Sequence, residues 1–445
     1  MNTQTKSRQS GVSWSTSVQG RTRGDVVTFA LVLVVVTTSF MGRYEFNTGG
    51  YSVRLEQLTP LILVSWIAIY TPTRESFVRT LRHPIVVAFA VFIAWNIFST
   101  LLFSPSLGKS ASILAWLTID LLLLAGLLSL GERCRWAEDI GIRFVVPWAL
   151  AGFAVFVIAN QSKGGFTWGT DFDWLYQVYV SRVTAIEANI YGSILVLWTL
   201  LLVARKGRRR SWMIAAAVSV PLGLIASQTR TALICIILGL VVHLGYETVR
   251  WAKSRQGDKS FWFGPIVLII GVLLAYGAST VLPEYGDPSA TPSTANPKQP
   301  ERQDKLGDVD FQGGTMGFRV TVAQLAAEDM HGVNLWLGNG TNTFGLRHEQ
   351  PDSPGVAGHI IMLPVQILYD VGIVGLLLLG GFGVIVLRYV PWERRPVAYA
   401  VSIAFLTATA LTSMFWFSIT WIVVASLVRP LTAEEKSPES TRRYV

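Results

Sequence analysis

The chain has 445 residues, 51% of them hydrophobic and only 15% Asp, Glu, Lys or Arg, with a mean hydropathy of +0.44. A soluble globular domain carries about 25% charged residues, so a water-soluble fold is excluded. The net charge of +9 does not indicate a nucleic-acid partner. The basic residues sit in short connections between apolar blocks, where they act as topology determinants.

Those blocks are roughly 15 to 20 residues long, the length of membrane helices rather than of barrel strands, which alternate over about 10 residues. The chain therefore reads as an all-α polytopic membrane protein with about twelve transmembrane helices. Cys134 and Cys235 fall at different depths, which argues against a disulfide, and five scattered histidines do not form a metal cluster.

Residues 1–25 are a polar N-terminus, expected to be cytoplasmic and disordered, without the layout of a signal peptide. Residues 26–280 carry nine predicted helices: Val26–Met41, Leu58–Tyr70, Pro84–Phe103, Ser110–Leu130, Phe144–Ala159, Asn189–Ala204, Trp212–Ala226, Ala232–Tyr246 and Phe263–Thr280. Asp120, inside the fourth, is either a functional ionisable group or a polar contact between helices. The connection from Asn160 to Glu187 holds Trp168, Trp174, Tyr176 and Tyr179 and is expected along the membrane surface.

Residues 281–359 form a long polar insert, read as an extracytoplasmic lid. Residues 360–430 carry the last three predicted helices: Ile360–Leu387, interrupted early by Pro364, then Val397–Thr412 and Met414–Val428. Residues 431–445 are a polar cytoplasmic tail. Arg74, Arg79 and Arg82 mark a cytoplasmic loop, and every other strongly basic connection lands on the same side. Both termini are then cytoplasmic, and Arg182, Arg230, Arg319 and His359 face outward.

Arg230 follows Ser227-Gln228-Thr229 in a turn of almost no length. Guanidinium suits planar recognition of phosphate oxygens, and an outward arginine breaks the inside rule; snorkelling to lipid headgroups is the other reading. Arg319 is expected in the first turn of an amphipathic helix, whose N-terminus favours phosphate, or is a solvated surface residue. Gly338-Asn339-Gly340 is a turn whose amides suit a glycan or phosphate, or an ordinary turn. Arg347 and His348 are polar candidates with no positional support. His359 immediately precedes the tenth helix; a neutral imidazole there serves as a base, hydrogen-bonds a sugar or caps a helix. Arg182 and Glu187 are a third cation with a carboxylate near the same face, or a solvated pair.

Taken together, Ser227-x-Thr229-Arg230-x-Ala232, Arg319 followed by Leu337-Gly338-Asn339-Gly340, and His359 followed by Asp370-Val371-Gly372-Ile373-Val374-Gly375 resemble the O-antigen ligase and Wzy-type polysaccharide polymerase superfamily. The likeness spans about residues 26–430, and its motifs cluster in 182–375. Ile360 stands where the family often has Asn after the histidine.

The resemblance implies a GT-C-like fold in a bacterial cytoplasmic membrane and glycan transfer from a polyprenyl-pyrophosphate-linked donor, without metal or cofactor. It implies His359, Arg230 and Arg319 as catalytic groups. Arg182, Glu187, Ser227, Thr229, Gly338 and Gly340 are then substrate-binding. Membrane lipids surround the site, and the acceptor is a glycan, a lipid or a protein. Polymerase and ligase stay open, as do a protein O-oligosaccharyltransferase and a lipid-linked glycan flippase or transporter.

Overall fold

The computed structural model describes residues 22–48, 51–173, 178–205, 210–254, 262–281, 305–306, 309–310, 314–348 and 360–431. His359, Trp174, Tyr176, residues 1–21 and 432–445, and about half of the polar insert lie outside the described residues.

Helices run back and forth along one bundle. α1 (Arg23–Ser39) leads into a hairpin of β1 (Glu45–Thr48) and β2 (Tyr51–Arg54), and α2 (Leu55–Ile69) returns. α3 (Thr71–Thr80) turns the chain; α4 (Pro84–Phe103) and α5 (Leu107–Ser129) go out and back. α6 (Arg135–Gln161) reaches a second antiparallel hairpin, β3 (Thr170–Asp173) with β4 (Val178–Ser181). α7 (Ala188–Ala204), α8 (Arg210–Ser227), α9 (Arg230–Ser254) and α10 (Phe263–Val281) follow. After a minimal pair, β5 (Lys305–Leu306) and β6 (Val309–Asp310), come α11 (Gly314–Asp329), α12 (Val333–Leu337) and α13 (Phe344–His348). α14 (Leu363–Tyr389), α15 (Arg395–Leu411) and α16 (Ser418–Val428) complete the described chain.

Every one of the twelve apolar segments contains a helix. Among the described residues five spans are long and apolar enough to cross a membrane: Pro84–Phe103, Leu107–Ser129, Gly131–Gln161, Arg230–Ala252 and Leu363–Tyr389. Five more apolar helices are shorter. The strands form only two-stranded pairs. The fold is that of an all-α membrane protein.

Lipid tails are as apolar as leucine, so helices in a bilayer are held by close packing and interhelical hydrogen bonds rather than by hydrophobic burial. Phe89 stacks on Trp421 at 4.1 Å between ring centroids and packs against Phe382 at 5.2 Å, joining α4, α16 and α14. Asp120 is buried in α5. It accepts from Ser418 Oγ at 3.2 Å, and that hydroxyl also lies 3.0 Å from the Glu56 carbonyl, so α2, α5 and α16 meet there. The interhelical-contact reading of Asp120 has its partner.

The first hairpin (β1–β2), the second hairpin (β3–β4) and α11 lie at one end of the bundle, the hairpin end. The opposite, basic end is closed by ion pairs. Arg429, fully buried, donates from Nε to Glu138 Oε2 at 2.8 Å. Arg394 donates to the same oxygen at 3.1 Å and reaches the Ser426 carbonyl, while Arg205 pairs with Asp139. α6 is thereby tied to α7, α16 and the turn before α15. Cys134 lies buried beside this network, and both it and Cys235 are free thiols.

Several boundaries differ from expectation. The connection bearing Arg74, Arg79 and Arg82 is not simply a loop: Pro72 opens α3 in its first turn, and Thr73 and Phe77 pack inward. Pro364 does not interrupt the tenth helix, because it sits in the first turn of α14, where a missing N–H costs little. The break lies at Gly372, with φ 68° and ψ −172°. α16 starts at Ser418 instead of Met414. The chain ahead of it is buried and non-helical because Thr420 Oγ1 donates to the Met414 carbonyl (2.7 Å) and Trp421 Nε1 to that of Phe415 (3.2 Å). The Asn160–Glu187 connection folds back on itself through β3 and β4.

Removing the shared carboxylate of the basic end leaves Arg429 buried without its partner, which costs about 3–5 kcal/mol. Glu138→Ala is expected to lower the thermal midpoint of the detergent-solubilised protein sharply; an unchanged midpoint would dismiss this clasp as a stabilising element.

Candidate active site at the hairpin end

The second hairpin places Arg182. Its strands pair Thr170 with Ser181 and Asp171 with Val180, and the amides of Arg182 and Val183 both donate to the Gly169 carbonyl at 2.9 and 2.8 Å. The side chain folds back along the hairpin. Its NH1 lies 2.8 Å from Asp171 Oδ1 and donates to the Ile186 carbonyl at 2.9 Å. Burial pushes the Asp171 carboxyl above its ordinary value; Arg182 opposes this, Glu187 adds to it, and Arg43 opposes it again.

Glu187 is the N-cap residue of α7 and is exposed. Its charge also reaches Arg319: burial lowers the Arg319 pKa from its ordinary value, and Glu187 counters that shift. The guanidinium remains charged. Arg43, Arg182 and Arg319 therefore stand against Asp171 and Glu187, three cations to two anions. Arg43 NH1, Arg182 Nε and Arg319 Nε are buried donors with no hydrogen-bond partner. A surplus charge with orphan donors, each costly to leave unmade, suits an anion.

Arg319 is the sixth residue of α11 rather than part of its first turn. Arg319 lines an apolar cavity of ≈ 310 Å³ together with Val320, Ala323, Gln324, Ala327, Met362 and Leu411.

The Ser227–Arg230 turn comes to the same end. α8 stops at Ser227 and α9 starts at Arg230, with Gln228 in the left-handed region at φ 50°. Ser227 Oγ donates to the Leu224 carbonyl at 2.7 Å, and Thr229 Oγ1 to that of Ser227 at 3.0 Å. Both hydroxyl protons are committed to shaping the turn. It packs on α7 at Gly192, where a Cβ would sit 3.2 Å from Ser227 Oγ and 3.5 Å from Thr229 Cβ. Gly192 is about 7.5 Å along α7 from Glu187. Arg230 is exposed at the start of α9, where a cation opposes the helix dipole.

Gly338 and Gly340 have a different setting. The break at Gly372 frees carbonyls of α14. The amides of Asn339 and Gly340 donate to those of Tyr369 and Asp370 at 2.8 and 3.0 Å. Ser99 Oγ adds a bond to Asp370 (3.0 Å), and Trp95 Nε1 one to Val371 (2.9 Å). Gly338 and Gly372 have φ of 87° and 68°, and a Cβ on either would collide with the other segment's backbone. The turn's donors, expected to face a ligand, are thus engaged by the broken helix.

Arg347 and His348 acquire positions that their sequence context did not supply. Arg347 donates to Asn339 Oδ1 at 2.8 Å. His348 Nε2 lies 2.8 Å from Asp329 Oδ2, and Tyr369 donates to that same oxygen at 2.7 Å. Asp329, Arg43 and Asp171 were missed by sequence reading. Arg43 carries the signal that singled out Arg230, a cation on the outward side of the expected topology; Asp171 and Asp329 carry none. No protein-family model matches the sequence, and no curated protein matches it.

Burial raises the Asp329 carboxyl, but hydrogen bonds from Tyr369 and His348, with the charges of His348 and Arg347, hold it below its ordinary 3.8. A depressed folded-state value gives stability above the ordinary value that is lost as pH falls through the folded one. Hydrogen exchange of α11–α13 amides, corrected for intrinsic rates, is expected to accelerate as pH drops below 3.8. Asp329→Asn should exchange faster at neutral pH already and show no such acid step. Equal protection in both proteins would discard this anchor.

Proposed function

We propose that the chain is a membrane glycosyltransferase that moves a glycan from a polyprenyl-pyrophosphate carrier to an acceptor hydroxyl on the outer face of a bacterial cytoplasmic membrane. Twelve spans, a GT-C-like arrangement and cytoplasmic termini belong to this reading. The observation that carries it is Arg319, a guanidinium with a buried orphan donor that lines an apolar cavity and is electrostatically linked to Glu187 and through it to the Arg182–Asp171 pair. An amphiphile with a phosphorylated head and a hydrocarbon tail matches both halves.

In this reading Arg319, Arg230 and Arg182 hold the pyrophosphate and neutralise the charge that grows on it as the anomeric C1–O bond breaks. The acceptor hydroxyl attacks C1 from the opposite side, its proton passes to a base, and the configuration inverts. His359 is the sequence candidate for that base and lies outside the described residues. A stabilised pyrophosphate leaves without the acid–base carboxylate pair a glycosidase needs. Polymerase and ligase differ only in the acceptor. A flippase predicts polar groups along a central path, whereas Arg43, Arg182 and Arg319 gather at one end.

Purified protein, given a polyprenyl-pyrophosphoryl glycan and an acceptor, is expected to form the glycosylated acceptor and free carrier pyrophosphate. Arg319→Ala and Arg230→Ala should each lower transfer by about 10²-fold or more while membrane insertion stays intact. Absence of transfer together with protein-dependent translocation of the lipid in vesicles would replace the enzyme by a transporter.

A further inference from the structure

We infer that α3, at the basic end, binds the phosphate headgroup of an anionic phospholipid. The helix borders an open cavity of ≈ 560 Å³ lined by Thr71, Arg74, Glu75, Val78, Arg79 and Arg82. Three guanidiniums face one carboxylate, leaving two positive charges. All three arginines are exposed, and none has an ion-pair partner among the described residues. Guanidinium is the side chain best matched to phosphate oxygens, through parallel N–H donors.

The neighbouring surface is apolar. Ile69, Val78 and Leu81 are 76%, 52% and 41% exposed. A free phosphate would leave these side chains in water, whereas a phospholipid covers them with its acyl chains while its phosphate meets the arginines. Basic clusters directly after a membrane helix attract anionic headgroups in this way. At the same end Tyr389 is exposed, with its ring 4.9 Å from that of His83, and such rings favour headgroup level.

The groove is also held in place. Ser76 Oγ donates to the Ser129 carbonyl of α5 at 2.7 Å, Thr73 Oγ1 to the Ile67 carbonyl of α2 at 3.0 Å, and Phe77 is buried between them. A helix pinned through one face, with cations and apolar side chains on the other, is arranged to lie in the plane of the interface. This site shares no residue with the hairpin end and stands independently of the proposed transfer reaction.

The full chain, purified in a neutral detergent with equal amounts of phosphatidylglycerol and phosphatidylcholine, is expected to retain phosphatidylglycerol preferentially in native mass spectrometry. The triple change Arg74→Gln, Arg79→Gln, Arg82→Gln should lower that retention by about fivefold or more. The corresponding triple change to Lys keeps the charge and should keep most of the lipid. Arg79→Gln alone, which leaves two cations to guide insertion, should give an intermediate loss. Excess inorganic phosphate should leave the bound lipid in place. Equal retention of both lipids, undiminished retention in the Gln variants, or displacement by inorganic phosphate would overturn the assignment.

Discussion

Inside a bilayer a backbone carbonyl released from a helix has no water to turn to, and each one left unpaired costs several kcal/mol. α14 faces that constraint at Gly372, where its helical path breaks. The freed carbonyls of Tyr369, Asp370 and Val371 are met by Asn339, Gly340, Ser99 and Trp95. One residue in a left-handed conformation therefore dictates where α4, α14 and a turn of the polar insert must sit relative to one another. Thr341 extends the same seam, with its amide on Thr100 Oγ1 at 3.1 Å and its hydroxyl on Asn96 Oδ1 at 3.2 Å. The described part of the insert from Val333 to His348 is consequently packed into the bundle. The insert's helix α11 is tied down again where Tyr369 and His348 converge on Asp329, and that second tie orients the helix bearing Arg319.

Charge is handled in opposite ways at the two ends. At the basic end one oxygen of Glu138 takes donors from both Arg394 and Arg429, and the guanidiniums also reach backbone carbonyls. Buried polar networks stabilise when fully connected and cost heavily when they are not. The hairpin-end arginines have carboxylates nearby yet keep orphan donors. What sets the two clusters apart is the shared carboxylate oxygen of Glu138, which two guanidiniums reach at the basic end and which has no counterpart among the described hairpin-end residues. The first closes a bundle, and the second lies near an apolar cavity that Arg319 helps to line.

Hydropathy made the helical plan legible because each bilayer-scale block demands a helix whatever its neighbours do. It located α3 poorly, since a short interfacial helix has mixed composition and is defined by what Thr73 and Phe77 touch. It misjudged the break in α14 because a proline is conspicuous, whereas a glycine breaks a helix only where distant donors wait for its carbonyls. The site was partly legible for a related reason. Arg230 and Arg319 are single residues out of keeping with their surroundings, so sequence alone exposes them. Asp171 and Asp329 matter only through partners brought near by folding, and nothing in their local sequence distinguishes them from loop carboxylates.

The same distinction reweights the residues within the motifs. Ser227, Thr229, Gly338 and Gly340 looked like ligand contacts because hydroxyls and glycine turns often are. Their hydrogen bonds and backbone angles commit them to the fold first. The hydroxyls shape a turn with no slack, and the glycines let two backbones touch. A turn of that kind, with Gln228 in a left-handed conformation and Gly192 beneath it, holds the start of α9 firmly. Arg230 then occupies a position where the helix dipole works against a cation. The hydroxyls and glycines of this end are thus structural in the first place, and what they fix is the place where the guanidinium of Arg230 leaves the helix.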